Sequence, residues 1–332
     1  MVACELPEAL MRSIAATRTA VHVYQRSEGH FVLFYTRSDL LSFYTILSVC
    51  SRKTGVRVLA SAAMYDHLHH LIEASSREEV TAFVRLYSLL YAKEFNRDSG
   101  LSGRLFEAPF GTALKIGDKD IRTCAGYVYN NHTNKKLCSH AEDIRWNYLA
   151  YAHSGNPFSE PLIRRKASRK LQAALKIADA ERKAERPLNH ATLRRMFSGL
   201  AGKESEQLTD YIIASYRFVD YDALESLYRS HDEMIYSFNA NTFNDYDVSE
   251  PSHDRRGDDT VYREMAEYVL RTGRYPVVKD ILKLPDKEKI ALACELKSVT
   301  HASFRQIGAY LRIKLAYAGT GKVDDPGEEY PI

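Results

Sequence analysis

The stretch Val56-Arg-Val-Leu-Ala-Ser-Ala-Ala-Met-Tyr-Asp-His-Leu-His-His-Leu-Ile-Glu73 decides the fold class of this chain. Val56–Ala63 is a run of β-branched and small residues, and it reads as a strand. Met64-Tyr65-Asp66 is too short for anything but a tight link. His67–Ala74 then alternates and reads as the neighbouring strand. Side chains two apart in a strand share a face, so His67 and His69 project together while Leu68 and Ile72 point into a core. His70 falls on the face of Leu68 and reads as structural. Glu73 shares the histidines' face but lies further along, where a solvated carboxylate is the simpler reading. Two imidazoles about 6–7 Å apart along a strand can reach one divalent cation. Alone, H-x-H also occurs in strands that bind nothing.

Outward from this hairpin the pattern keeps alternating between strand and helix. Val21–Tyr35 reads as a strand pair turning at Ser27-Glu28-Gly29. Leu40, Leu41, Phe43 and Leu47 give helical spacing up to Ser51, with Ser38 or Asp39 as N-cap. Ser76–Phe95 reads as a long helix, and Gly100–Lys115 as loop plus edge strand. Asp118–Asn131 reads as a helix whose buried stripe is Ile121, Cys124, Ala125 and Val128. On that helix Tyr127 and Asn131 share one flank, and Tyr129 lies on the other. This order predicts an α+β domain over 1–152, a ferredoxin-like antiparallel sheet with helices on one face. Gly155-Asn156-Pro157 marks a boundary. Beyond it, 158–318 predicts an all-α domain, with helices near Leu162–Arg186, His190–Leu200, Glu204–Val219, Tyr221–Tyr236, Thr260–Thr272, Pro276–Leu282, Asp286–Lys297 and Ser303–Arg312. Residues 286–313 read as part of a helix-turn-helix or as a plain helical packing unit, and Asn239–Asp258 reads as a polar loop. The acidic 319–332 reads as a disordered tail.

Composition narrows the function classes. The 332 residues are 45% hydrophobic, enough to fill cores in roughly two domains. No apolar run approaches the ~18 residues of a membrane span, and the acidic start Met1–Glu8 predicts no secretory leader. Five scattered cysteines without a C-x-x-C pair predict a reducing, cytoplasmic setting with neither disulfides nor a thiolate zinc site. Net charge is only +3, yet 151–200 carries 11 Lys/Arg against 4 Asp/Glu, and 201–250 carries 3 against 11. Such a split marks one phosphate-attracting surface, or two solvated helix faces.

Four motifs in order carry a resemblance. Met64-Tyr65-Asp66-His67-Leu68-His69-His70-Leu71 is followed by Gly103-Arg104-Leu105-Phe106 with Phe110. Tyr127-Val128-Tyr129-Asn130-Asn131-His132 leads to Lys135-Lys136-Leu137, and Asp143-Ile144-Arg145-Trp146-Asn147-Tyr148 closes the set. Across Val21–Tyr151 the chain resembles the HUH single-strand nucleases, and within them the REP-associated tyrosine transposases. His132 stands where that family usually has proline, and it extends the helix. The resemblance implies Tyr127 as nucleophile and His67, His69 and Asn131 as ligands of Mg²⁺ or Mn²⁺. It implies a 5′-phosphotyrosyl intermediate on single-stranded DNA flanking hairpin or palindromic elements. Family members are often homodimers. Neutral imidazoles and an amide oxygen leave coordination positions open, as such an ion requires. Arg104, Lys115, Lys119, Arg122, Lys135 and Lys136 are candidate phosphate contacts, with Arg164, Arg165 and Lys166 as a guiding patch beside Arg169 and Lys170. The alternatives are a domesticated, non-catalytic single-strand or hairpin-binding regulator, and a histidine-based hydrolase of small phosphates. The latter tends to need a further same-face histidine, where this chain has Leu71.

Overall fold

The computed structural model describes residues 17–240 and 258–315. The tail from Gly319, nearly all of the Asn239–Asp258 loop and Cys4 lie outside the described residues. The first half runs β1 (Thr19–Arg26), α1 (Arg37–Thr54), β2 (Arg57–Ala63), β3 (His67–Glu73), α2 (Arg77–Ser99), β4 (Gly111–Ile116) and α3 (Gly117–Asn134). The four strands form one antiparallel sheet in the order β2-β3-β1-β4. This is the βαββαβ order of a ferredoxin-like sheet, with α3 added.

Two sequence expectations need correction. The helices are not confined to one face. Val23, Leu68 and Ile72 join a core with Phe43, Leu47, Phe83 and Tyr87 of α1 and α2. Ala20, Ala62 and Leu71 instead pack against Ile121, Cys124, Ala125 and Val128 of α3. Both faces of β1 and β3 thus carry apolar residues, and each needs a cover. The second correction concerns Val21–Tyr35. Only β1 is a strand, and Val32, Leu33 and Phe34 are buried without entering the sheet. Their backbone is satisfied from elsewhere: Val32 N–H donates to Ala309 (3.2 Å), Leu33 N–H donates to Tyr65 (2.6 Å), and Arg312 donates to the Val32 carbonyl (3.0 Å).

The ends of the helices follow their capping chemistry. Thr36, not Ser38 or Asp39, is the N-cap of α1. Asp39 is its reciprocal partner in a capping box, the role of an acidic residue three places on. The side chain of Ser76 caps α2. α3 runs through His132 to Asn134, as the absence of proline allows.

The second half is helical: α4 (Arg169–Lys183), α5 (His190–Phe197), α6 (Gly202–Ser215), α7 (Tyr221–Glu225), α8 (His231–Ala240), α9 (Thr260–Arg271), α10 (Asp286–Val299) and α11 (Phe304–Leu311). The expected Tyr221–Tyr236 helix is two. Ser230 caps a new start by accepting from the Glu233 N–H (3.1 Å), and Leu227-Tyr228 turn between them. Among the described residues no helix follows α11, and Ile307 to Leu311 are buried in one continuous run. Tyr310 accepts a hydrogen bond from Tyr35 (2.7 Å). α11 is therefore occupied with packing on the first half. One continuous apolar core includes Val23 and Tyr44 as well as Leu171, Leu208, Met265 and Leu296.

Candidate active site

Period-two alternation along β1 and β3 builds the site. His67 and His69 leave β3 on the face covered by α3. The register pairs Tyr24 with His69 and Arg26 with His67, so His22, Tyr24 and Arg26 share that face. Gly111 pairs with Tyr24 on the other side. A Cβ at Gly111 would fall within the Tyr24 ring, so the missing side chain is what lets that ring lie across the edge strand.

The imidazoles of His67 and His69 meet edge to face, 5.0 Å between centroids. Each has an oriented outer nitrogen. His67 Nδ1 is 2.6 Å from Asp66 Oδ1, which directs Nε2 away from the strand. His69 Nδ1 lies 3.1 Å from His22 Nε2. His22 Nδ1 has no hydrogen-bond partner and is buried. If His69 donates from Nδ1 to His22, its own Nε2 keeps the lone pair that a metal needs. Backing of this sort, by carboxylate or by a second acceptor, is typical behind ligating histidines. The donor set therefore fits a divalent cation at His67 and His69.

Electrostatics agree. Burial holds the His69 imidazole well below its ordinary pKa, and the neighbouring His67 and His22 add to the effect. Burial also pushes His22 down to about 3, with Lys115 contributing. Both rings are thereby held neutral at physiological pH, which for His69 is the state a ligand needs. Asp66 feels burial upward, but the His67 charge and hydrogen bond hold its carboxyl at about 2. It stays an acceptor throughout.

α3 brings Tyr127 to the pair. Its ring lies 5.4 Å from His69 and 5.7 Å from His22, edge-on to both. Tyr129 points elsewhere, fully buried, with its hydroxyl donating to the Leu59 carbonyl (3.3 Å) and its ring 5.3 Å from Phe238. Asn131 is buried one turn beyond Tyr127, and its Nδ2 donates to the Tyr127 carbonyl (2.9 Å). That leaves the amide oxygen as the atom able to ligate. His70 sits on the other face beside Phe83 and Tyr87, 3.0 Å from the Ser61 hydroxyl.

The candidate phosphate contacts divide. Lys115 pairs with Ala20 across the sheet, which puts it on the His22 face. Lys135 lies within electrostatic reach of Asp66, and Lys119 is exposed on the first turn of α3. Arg122 is engaged by the Leu227 carbonyl (3.3 Å) and the Tyr228 ring. Lys136 pairs with Asp258 at 3.4 Å, and Arg104 lies 3.9 Å from Glu28. In the guiding patch Arg164 is bound to Asp179 and Tyr211, while Arg165 and Lys166 are exposed.

Sequence reasoning missed His22 and Asp259, and the contact that His132 makes. His22 carried a signal, the alternation of His22, Tyr24 and Arg26 with Val21 and Val23. His132 Nε2 meets the Ala63 carbonyl at 3.1 Å, tying α3 to the end of β2. Asp259 carried no signal. It is buried at the start of α9, its N–H donates to the Lys135 carbonyl (3.3 Å), and burial pushes its carboxyl up to about 6 against the pull of Lys135. Beside it the Tyr65 and Tyr262 rings pack at 4.7 Å, so α9 forms one wall near His67.

Neither a protein-family model nor a curated protein matches the chain. One solved structure is similar, a REP-associated tyrosine transposase bound to a REP hairpin. It is 12% identical over 39% of this chain and 76% of the other, with a TM-score of 0.31. The chemistry must therefore be argued from this chain's own residues. Among the described residues no helix is long and apolar enough to cross a membrane.

Proposed function

We propose that the chain is a metal-dependent single-strand DNA endonuclease and strand transferase, with Tyr127 as nucleophile and His67, His69 and Asn131 as ligands of Mg²⁺ or Mn²⁺. One observation carries this reading. Tyr127, from an element about sixty residues further along, comes to 5.4 Å from the His69 ring, which itself meets its strand neighbour His67 at 5.0 Å. A bound divalent cation would polarise the scissile phosphate and offset charge developing on it. Tyr127 Oη attacks phosphorus in line with the 3′ oxygen. The Oη–P bond forms as the P–O3′ bond breaks, and in balance the proton lost by the phenol is the one gained by the 3′-hydroxyl. Bond energy is kept in the 5′-phosphotyrosyl link, so a hydroxyl can reverse the step without a nucleotide cofactor. Lys115 and Lys135 near the site, and Lys119 exposed on the first turn of the same helix, are the proposed phosphate contacts, and hairpin-bearing single strands are the proposed substrate.

Incubation with labelled, hairpin-bearing single-stranded DNA and Mg²⁺, followed by a denaturing gel, tests this. Wild type and Tyr129→Phe form a covalent adduct; Tyr127→Phe forms none and still binds DNA. An adduct from Tyr127→Phe, or one undiminished in chelator, overturns the reading. Binding without any adduct would point instead to a regulator.

A further inference from the structure

Among the described residues, two groups place three metal-capable side chains with donor atoms within 4.8 Å of one another. One is Asp39, Asp98 and His190, where the Lys279 ammonium already lies 2.5 Å from Asp39 and 3.0 Å from Asp98. A cation is thus built into it. The other is His153, Glu225 and His231, outside the cluster formed by His67, His69 and Tyr127.

These three come from separate parts of the chain. His153 follows the short turn at 149–151 that ends the first half, Glu225 ends α7, and His231 begins α8. His153 Nε2 lies 2.8 and 2.9 Å from the two Glu225 oxygens. His231 Nδ1 lies 2.9 Å from Oε1 of the same carboxylate. The two rings are 4.0 Å apart between centroids. Two imidazolium ions so close would repel, and a single carboxylate cannot neutralise both. Two neutral imidazoles with one carboxylate supply three of the four ligands of a tetrahedral divalent ion. Ligand atoms at about 2.0–2.1 Å from a tetrahedral ion lie roughly 3.3 Å apart. The histidine–carboxylate separations need to open by about half an ångström, and all three donor atoms already lie within 4.8 Å of one another. His153 is 60% exposed and His231 29%, which leaves an open side for entry and for water. Glu142 and Asp232 line a surface cleft with both histidines and make it negative.

We propose that His153, Glu225 and His231 form a second divalent-metal site, for a nitrogen-preferring ion of the Zn²⁺, Ni²⁺ or Cu²⁺ class, with water completing the shell. It differs in kind from a site for Mg²⁺, which prefers oxygen and near-ideal octahedral geometry. An ion there ties the end of the first half to α7 and α8. α8 in turn packs on α3, where Asn130 Nδ2 donates to the Phe238 carbonyl at 2.9 Å. The metal would therefore brace the helix that carries Tyr127.

Zn²⁺ is the probe, in the full chain carrying His67→Ala and His69→Ala. Competition with a chromophoric chelator is expected to show one tight equivalent, and Co²⁺ substitution to show visible d–d bands. Zn²⁺ raises the melting midpoint of this protein. Adding His153→Gln and His231→Gln removes the equivalent, the bands and the shift. The loss exceeds the ~10–100-fold typical of an outer-shell partner. Glu225→Gln weakens binding while the metal-free melting midpoint of each variant reports folding. No saturable Zn²⁺ binding at micromolar concentration in the His67→Ala/His69→Ala protein overturns the proposal. So does binding that survives replacement of His153 and His231.

Discussion

His22 is the residue on which the proposed metal site turns. Its Nε2 meets His69 Nδ1 at 3.1 Å and sets which nitrogen of His69 is left for a ligand role. A His22→Ala variant removes that partner without touching a ligand. Apparent Mg²⁺ or Mn²⁺ affinity, read from the metal dependence of cleavage, is expected to fall about 10–100-fold, the usual cost of losing an outer-shell partner. Adduct formation at saturating metal should recover. Unchanged metal dependence would show that His22 does not orient His69. The H-x-H pair itself was legible in the sequence because a strand period of two needs no tertiary knowledge. His22 was not, because its relevance depends on β1 lying beside β3, a pairing that sequence distance does not encode.

At the scale of elements, the edge strand β4 depends on one missing side chain. Tyr24 lies over Gly111, and a methyl group there would overlap its ring. Gly111→Ala forces either the ring or the strand to move, at roughly 1–3 kcal/mol for overpacking. The melting midpoint should drop by several degrees, at about 2–4 °C per kcal/mol for a chain of this order of size. Adduct yield should drop with it, because Tyr24 is a neighbour of His22 at 5.7 Å between rings. A variant as stable and active as wild type would mean that Tyr24 has room to turn away. α3 shows how much a helix's periodicity can say. The stripe Ile121, Cys124, Ala125 and Val128 faces the sheet, and Tyr127 and Tyr129 diverge as 3.6 residues per turn requires. In the closing stretch Asp143–Tyr148, Asn147 Nδ2 donates to the Tyr129 (3.2 Å) and Ala141 (2.6 Å) carbonyls and Arg145 pairs with Asp210, so this stretch ties α3 to α6.

Across the whole molecule, a buried charge network joins the halves. His190 donates from Nε2 to Asp39 (2.7 Å) and from Nδ1 to Glu94 (2.9 Å), while Lys279 reaches Asp39 and Asp98. Burial opposes the charges, yet the Lys279 charge and the His190 hydrogen bond hold the Asp39 carboxyl below its ordinary range, hydrogen bonds from His190 hold Glu94 down, and the Arg194 hydrogen bond with the Lys279 charge does the same for Asp98. Burial likewise opposes the His190 charge, but its bonds to Asp39 and Glu94 raise its pKa. The depressed carboxyls stabilise the fold above their unfolded pKa values near ~4, and that stability goes as pH falls through the folded values. The raised histidine stabilises fully below about 6.5, and its share goes as pH rises through the folded value. The network contributes most between these limits. Lys279→Met should cost about 3–5 kcal/mol by leaving buried carboxylates short of a cation. Measured from pH 3 to 8, its melting-midpoint deficit should be smallest near pH 3, where the carboxyls begin to protonate, and rise to a plateau above about pH 5, because Lys279 and its carboxylate partners both stay charged there; a uniform deficit would assign the loss to packing instead.

By itself the sequence determined the local periods: strands at 57–63 and 67–73, the helix that carries Tyr127, the faces of His67 and His69, and the helical second half. These follow from side-chain spacing and capping, which act over a few residues. The tertiary structure decided what lies beside what. It put helices on both sides of the sheet, set His22 behind His69 and Asp259 near His67, and spent α11 on packing. It also brought His153, Glu225 and His231 to one point. Such contacts are fixed by burying apolar surface across the whole chain, a quantity that no single segment carries.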